Sequence, residues 1–163
     1  MNSASKRRIF DFTVWSISLL FAFGLLIDSA VAESKGFAAS YKVWQAECGS
    51  CHIAYPPNLL PAPAWRRMMA SLDKHFGTDA SVDAALASEI DAFLERHAGQ
   101  GRKRGVDSGT LRISETPWFQ RKHHELAAST WKNPKVKSVA NCSACHAGAE
   151  RGDFDEHAVR IPR

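Results

Sequence analysis

All four cysteines of the chain fall in two copies of one five-residue pattern, Cys48-Gly49-Ser50-Cys51-His52 and Cys142-Ser143-Ala144-Cys145-His146. No thiol is left for a disulfide, a zinc site or a nucleophile, so one hypothesis accounts for every cysteine. Two thiols three positions apart on a helical turn can each form a thioether to one of a porphyrin's two vinyl groups. The adjacent histidine can then offer a ring nitrogen to the iron. A single C-x-x-C also reads as a redox dithiol or half a zinc knuckle. C-x-x-C-H twice, with nothing left over, reads as two covalently bound haem c groups. Cys48, Cys51, Cys142 and Cys145 are their attachment points, and His52 and His146 their proximal iron ligands.

Haem is ligated to this pattern outside the bacterial cytoplasm, and the N-terminus has the marks of an export signal. Lys6-Arg7-Arg8 form a positive start, Phe12 to Ile27 is an uncharged and mostly apolar run, and Ala30-Val31-Ala32 is a small-x-small cleavage site. The expectation is a signal peptide over 1–32 and a mature chain that begins at Glu33. The rival is an uncleaved anchor helix, but the run falls short of the ~20 apolar residues a span needs. Nothing later in the chain is long or apolar enough to cross a bilayer. The expected product is therefore an exported, soluble, periplasmic monomer with no membrane span once the signal is removed.

The mature chain has 131 residues, enough for one domain or two very small ones. Its formal charge is +3, against +4 for the whole chain. The propionates of two haems would bring the holoprotein close to neutral, so the basic balance does not imply nucleic-acid binding. Much of the interior would be porphyrin, which predicts a poorly folded apoprotein.

Helical patterns dominate and no convincing strand appears, so the expected class is all-α. A first helix is predicted over Phe37 to Cys51. Four prolines between Ile53 and Pro63 make that segment an extended loop, laid over a haem edge by Tyr55, Leu59 and Leu60. Ala64 to Phe76 places Trp65, Met68, Met69, Leu72, His75 and Phe76 on one helical stripe, with Gly77 as its stop. A further helix is predicted from about Ser81 to Ala98, capped by Asp79 or Ser81, with Val82, Leu86, Ile90, Phe93 and Leu94 inward. Thr116-Pro117 reads as an N-cap followed by proline at the first helical position. The helix it opens carries Trp118, Phe119, His123, Leu126 and Trp131. Between these halves, Gly99 to Gly109 lacks apolar periodicity and marks a boundary. It divides a haem domain over 33–100 from a second over 101–163. The run Arg102-Lys103-Arg104 inside it reads as a solvated linker, or as a docking patch for an acidic redox partner. The halves share little beyond the haem motif, so no tandem repeat is inferred.

Sixth ligands decide what the irons can do. Of the seven histidines, His75 lies within the apolar stripe, where an unpaired imidazole would be costly to bury; iron coordination removes that cost. Met68 and Met69 on the same stripe are the rivals, or are ordinary packing residues. His123 shares an apolar face with Phe119 and Leu126, whereas His124 lies on a more mixed one. One of this pair is expected to bind the second iron, and His123 is preferred. His97 at a helix C-terminus needs no iron to explain it, and His157 in the polar tail reads as a surface residue. No methionine lies near the second motif, so that haem is bis-histidine or has an open site. If both irons are six-coordinate, the function is electron transfer rather than catalysis.

The stretches ECGSCHIAYPPNLLPAPAWRRMMASLDKHFGTDAS, RISETPWFQRKHHE and NCSACHAGAERGDF, with the closing RIP, resemble the small dihaem cytochrome c family of proteobacteria. The likeness covers nearly all of the mature chain. It implies a soluble periplasmic electron carrier with a cytochrome-c-like N-terminal helical domain and a smaller helical and loop C-terminal domain, each built around one haem. It also implies two bis-histidine, low-potential haems close enough for rapid exchange. His75 takes the place of the histidine in HFG and His123 that of the first histidine in KHHE, with His124 as its alternative. The resemblance further implies a membrane cytochrome b or a small oxygen-binding c-type haem protein as redox partner.

Overall fold

Hydrogen bonding within short segments, rather than pairing between them, organises the backbone of the computed structural model. It describes residues 41–101, 106, 107 and 109–163. The expected signal peptide, the Arg102-Lys103-Arg104 run and part of the glycine-rich boundary lie outside the described residues. Ser40–Arg163 form one compact unit.

The α-helices among the described residues include α1 over 41–48, α2 Ala62–Met69, α3 Ala84–His97, α4 Pro117–Lys122 and α5 Ala128–Trp131. Short 3-10 turns fill the connections, including Pro57–Leu59, Leu72–Lys74 and Cys142–Ala144. No strand is present among the described residues, only one isolated bridge between His75 and Thr78. The fold class is all-α, as the patterning predicts.

α2 and α3 pack on each other and carry the core. Ile90, Phe93 and Leu94 recur at i, i+3 and i+4 on α3, the spacing that puts them on one face, and all three are buried. They meet Ala64, Trp65 and Met68 of α2 and Trp44 of α1 in one cluster. The Trp44 ring lies 5.5 Å from that of Phe93. Phe119, Val136 and Ala149 are buried as well but stand outside that cluster.

Several helix boundaries differ from the expectation, each for a local reason. α2 stops at Met69 rather than running to Phe76. The Ser71 hydroxyl donates back to the carbonyls of Arg67 at 2.9 Å and Met68 at 3.4 Å, satisfying groups that a continuing helix would have used. Past the 3-10 turn the chain reverses at Phe76 (φ 50°) and Gly77 (φ 98°), a left-handed pair no α-helix contains. Gly77 is thus a turn residue, not the stop of a long helix, and Phe76 is exposed. α3 starts at Ala84, because Asp83 accepts from the amides of Ala85 and Leu86 and is the true cap; Asp79 instead accepts from Ser81 N–H. Thr116 caps α4 as predicted, accepting from Phe119 N–H at 3.1 Å, with Pro117 at the first position. That helix nevertheless ends at Lys122, and Trp131 belongs to the separate α5. α1 likewise ends at 48, so Gly49 to Cys51 form a turn rather than a last helical stretch.

Candidate haem sites

Cys48 closes α1 and Cys51 lies in the turn behind it. Gly49 N–H donates to the Gln45 carbonyl at 3.0 Å, and Ser50 Oγ donates to the Glu47 carbonyl at 2.9 Å. A Cβ at position 49 would run into that Gln45 carbonyl, so this copy of the motif favours glycine as its first intervening residue. The chain then presents His52, whose Nδ1 lies 2.7 Å from the Ile53 carbonyl. A carbonyl only accepts, so Nδ1 carries the proton and Nε2 keeps its lone pair for a metal.

The reversal at Phe76 and Gly77 delivers His75 opposite His52. The two imidazole centroids are 6.0 Å apart with planes 26° from parallel. Burial above all, then the neighbouring His52 and Arg112, push the His75 imidazole below its ordinary pKa. Its Nδ1 is buried without a hydrogen-bond partner. Arg112 lies over the Phe76 ring, 4.1 Å from its centroid, and Phe76 stands edge-on to His75 at 4.8 Å. A cation over an aromatic face holds this strained corner in place.

At the second motif, Cys142 begins a 3-10 turn and His146 N–H donates to the Cys142 carbonyl at 2.8 Å. The tail returns to close the motif, with Arg160 N–H donating to the Cys145 carbonyl at 2.9 Å. Opposite stands His123, the C-cap residue just after α4. Its imidazole centroid is 6.2 Å from that of His146, with planes 75° apart. His123 Nδ1 lies 2.9 Å from the Phe119 carbonyl, again leaving Nε2 free to ligate. Phe119 stacks on it at 4.0 Å and 19°, and Phe154 meets His146 at 5.4 Å. Burial, then His123, hold His146 below the usual histidine value, with Asp153 opposing.

The distances fit a group held between two imidazoles. A metal–imidazole bond is about 2.0–2.1 Å and the nitrogen lies about 1.1 Å from its ring centre. Two imidazoles on opposite sides of one metal ion therefore have centroids about 6.3 Å apart. Both pairs come close to that value.

The thiols fit attachment better than redox chemistry. Burial, with Glu47 adding to it, pushes Cys48 up to about 11, and burial pushes Cys142 up to about 11. A redox dithiol needs the opposite, a lowered pKa and a standing thiolate. No group of three or more His, Cys, Asp or Glu side chains converges to hold a bare metal ion among the described residues, as a zinc knuckle would require.

The other candidates are elsewhere. His124 is exposed, its Nδ1 2.8 Å from the Arg121 carbonyl and its Nε2 3.9 Å from Glu125. Met68 is buried in the core against α3, and Met69 packs beside it half-buried. His97 ends α3 against Phe93, with ring centroids 4.8 Å apart, and His157 is exposed. His75 is brought to His52, although not by the helical stripe that singled it out.

One residue of the site was named in the sequence only as loop packing. Tyr55 stacks on His52, with centroids 4.9 Å apart and planes 30° apart. Its hydroxyl donates to the Ala140 carbonyl at 2.7 Å, just ahead of the second motif. Burial, then the nearby Cys142 thiol, push the phenol up to about 12. The two motifs also share an open cleft of about 480 Å³, lined by Ser50, Cys51 and His52 on one side and Asn141 and Ser143 on the other.

Comparison with known proteins identifies the family. The family model for dihaem cytochrome c matches residues 44–154. The chain is 44% identical to the dihaem cytochrome c of Shewanella baltica OS155, whose X-ray structure superposes with a TM-score of 0.67 over 76% of this chain and 94% of that one. It is 46% identical to the dihaem cytochrome c of Rhodobacter sphaeroides, with a TM-score of 0.63 over 69% of this chain and 95% of that one. No curated protein matches. On this family match and these identities, the chain belongs to the dihaem cytochrome c family and carries two covalently bound haem c groups.

Proposed function

We propose that this cytochrome is a periplasmic electron carrier, not an enzyme, with each iron held between two histidines, His52 with His75 and His123 with His146. The observation that carries the reading is the pair of imidazole separations, 6.0 and 6.2 Å, each the span of one six-coordinate metal. When bound, each haem supplies a one-electron iron couple, of low potential where both axial ligands are imidazoles rather than imidazole and thioether.

The chain's own residues account for the rest. The carbonyls of Ile53 and Phe119 hold the proton of His52 and His123 on Nδ1, which fixes each ring's tautomer and aims Nε2 inward. Phe76, Phe119 and Phe154 flank the imidazoles and restrict their rotation. Filling both axial positions leaves no coordination site for oxygen or peroxide, which argues for transfer over catalysis. Met68 is committed to the core, which weighs against a thioether at the first iron. The exposed His124 is the weaker claimant at the second. The export features over 1–32 support a periplasmic site of action, where a membrane cytochrome b or a small c-type haem protein would exchange electrons with it.

A redox titration followed by EPR on the purified holoprotein tests the reading. Two low-spin ferric signals and two low potentials are expected. A high-spin signal in the native protein, or a carbon monoxide shift of the reduced Soret band, would instead favour an open-site enzyme or gas sensor. N-terminal sequencing of the exported protein is expected to begin at Glu33.

A further inference from the structure

Tyr55 spans the two sites. It lies three residues beyond His52, yet its hydroxyl reaches the carbonyl of Ala140, 85 residues away in sequence and two before Cys142. Its ring rests on the imidazole of His52. Its neighbour Pro56 lies over Gly152 of the second half, close enough that a Cβ there would sit 3.6 Å from the proline ring. Two adjacent residues of the first motif's loop are thus clasped onto the backbone on either side of the second motif. Leu59 and Leu60, which follow, are buried, and Trp65 Nε1 donates to the Pro57 carbonyl at 2.7 Å. The loop is anchored at its far end, so Tyr55 is held from behind while it reaches forward.

Aromatic stacking and a neutral hydrogen bond do different things here. The stack restricts rotation of the His52 ring and hence the orientation of the first iron's axial ligand. The O–H···O contact fixes how far that ligand stands from the backbone that presents Cys142. We propose that Tyr55 is a positioning residue for exchange between the two haems: it sets the separation and relative orientation of the two sites, and through them the rate at which an electron passes between them. The inference rests on both irons being six-coordinate, as proposed above. The exchange is self-contained: one electron leaves a ferrous iron and reduces the ferric iron of the other site. Tyr55 loses neither an electron nor its proton.

Tyr55→Phe in the holoprotein separates the two contacts, because it keeps the ring on His52 and removes only the hydroxyl. Losing one neutral hydrogen bond lowers the equilibrium constant for the clasped arrangement by about fivefold. Intersite exchange, followed by pulse radiolysis of half-reduced protein, is expected to slow measurably, by at most the same factor. Magnetic coupling between the two ferric irons in EPR is expected to weaken, while two haems per chain and both low-spin signals persist. Tyr55→Leu removes the stack too and is expected to alter the EPR g-values of the first site alone. An exchange rate in Tyr55→Phe equal to wild type would overturn the proposal. So would loss of a haem or a switch to high spin in that variant, since either makes Tyr55 a support for ligation rather than for spacing. The ligation reading fails separately, on a high-spin signal in the wild-type protein.

Discussion

His75→Ala is the substitution from which most can be learned, because the two proposed imidazole pairs differ in one measurable angle. The planes of His52 and His75 are 26° apart and those of His123 and His146 are 75° apart. An axial imidazole donates π density into the iron d orbital perpendicular to its ring. Two near-parallel rings load the same orbital and split it from its partner, which gives a rhombic low-spin spectrum. Two near-perpendicular rings load the two orbitals almost equally, which leaves them close in energy and gives one very large g-value. The ferric protein is therefore expected to show one signal of each kind. Removing the His75 imidazole takes one axial ligand from one of two irons, so about half of the ferric iron should turn high-spin. The rhombic signal is the half that should vanish, and the large-g signal should stay. His123→Ala should do the reverse, and His124→Ala, at an exposed ring beside Glu125, should change neither signal. EPR of frozen ferric protein, integrated against a spin standard, reads all three. Persistence of both low-spin signals in His75→Ala would refute the first pairing, and loss of the large-g signal in that variant would refute the assignment of signals from the ring angles.

Gly49→Ala forces a Cβ against the Gln45 carbonyl and should lower haem occupancy to about one per chain, measured as the pyridine haemochrome absorbance per polypeptide. Thr116→Ala removes the fully buried cap of α4, which accepts from Phe119 N–H and donates to the Ile113 carbonyl. A loss of about 1–2 kcal/mol in denaturant stability is expected, and the His123 side of the second site should loosen first. Glu156 is held below its ordinary carboxylate value by the hydrogen bond and charge of Lys122. A lowered carboxylate stabilises fully above its unfolded value of 4.5 and loses that contribution as pH falls through its folded value. Acid titration of the tail's circular dichroism should show this small slope, and Glu156→Gln should flatten it.

The haem motifs, the cap at Thr116 and the apolar face of Ile90, Phe93 and Leu94 were all legible in the sequence, because each is written within a few consecutive residues. Helix ends were less so. Asp79, Ser81 and Asp83 are all competent caps, and only Asp83 stands where the α3 amides converge. Ser71 lies inside the stretch predicted as one helix, but its hydroxyl turns back on the preceding turn and ends α2 there. The stripe over 65–76 was thus two structures read as one, a helix that packs on α3 and a reversed corner that carries His75.

That corner explains why His75 is suited to its proposed role. A histidine on the buried face of α2 would have been directed into the packing against α3, where Met68 lies. Ending the helix at Met69 and reversing the chain through a left-handed Phe76 frees His75 from the core, and Arg112 over the Phe76 ring keeps the reversal closed. The apolar spacing that marked His75 is therefore a by-product of two neighbours with different duties. Tyr55 left still less trace. Its ring serves His52 three residues away, but its hydroxyl serves a carbonyl 85 residues away, and no local pattern encodes such a contact. Residues that build one site can be read from spacing. A residue that ties two sites together becomes visible only once the chain has brought them side by side.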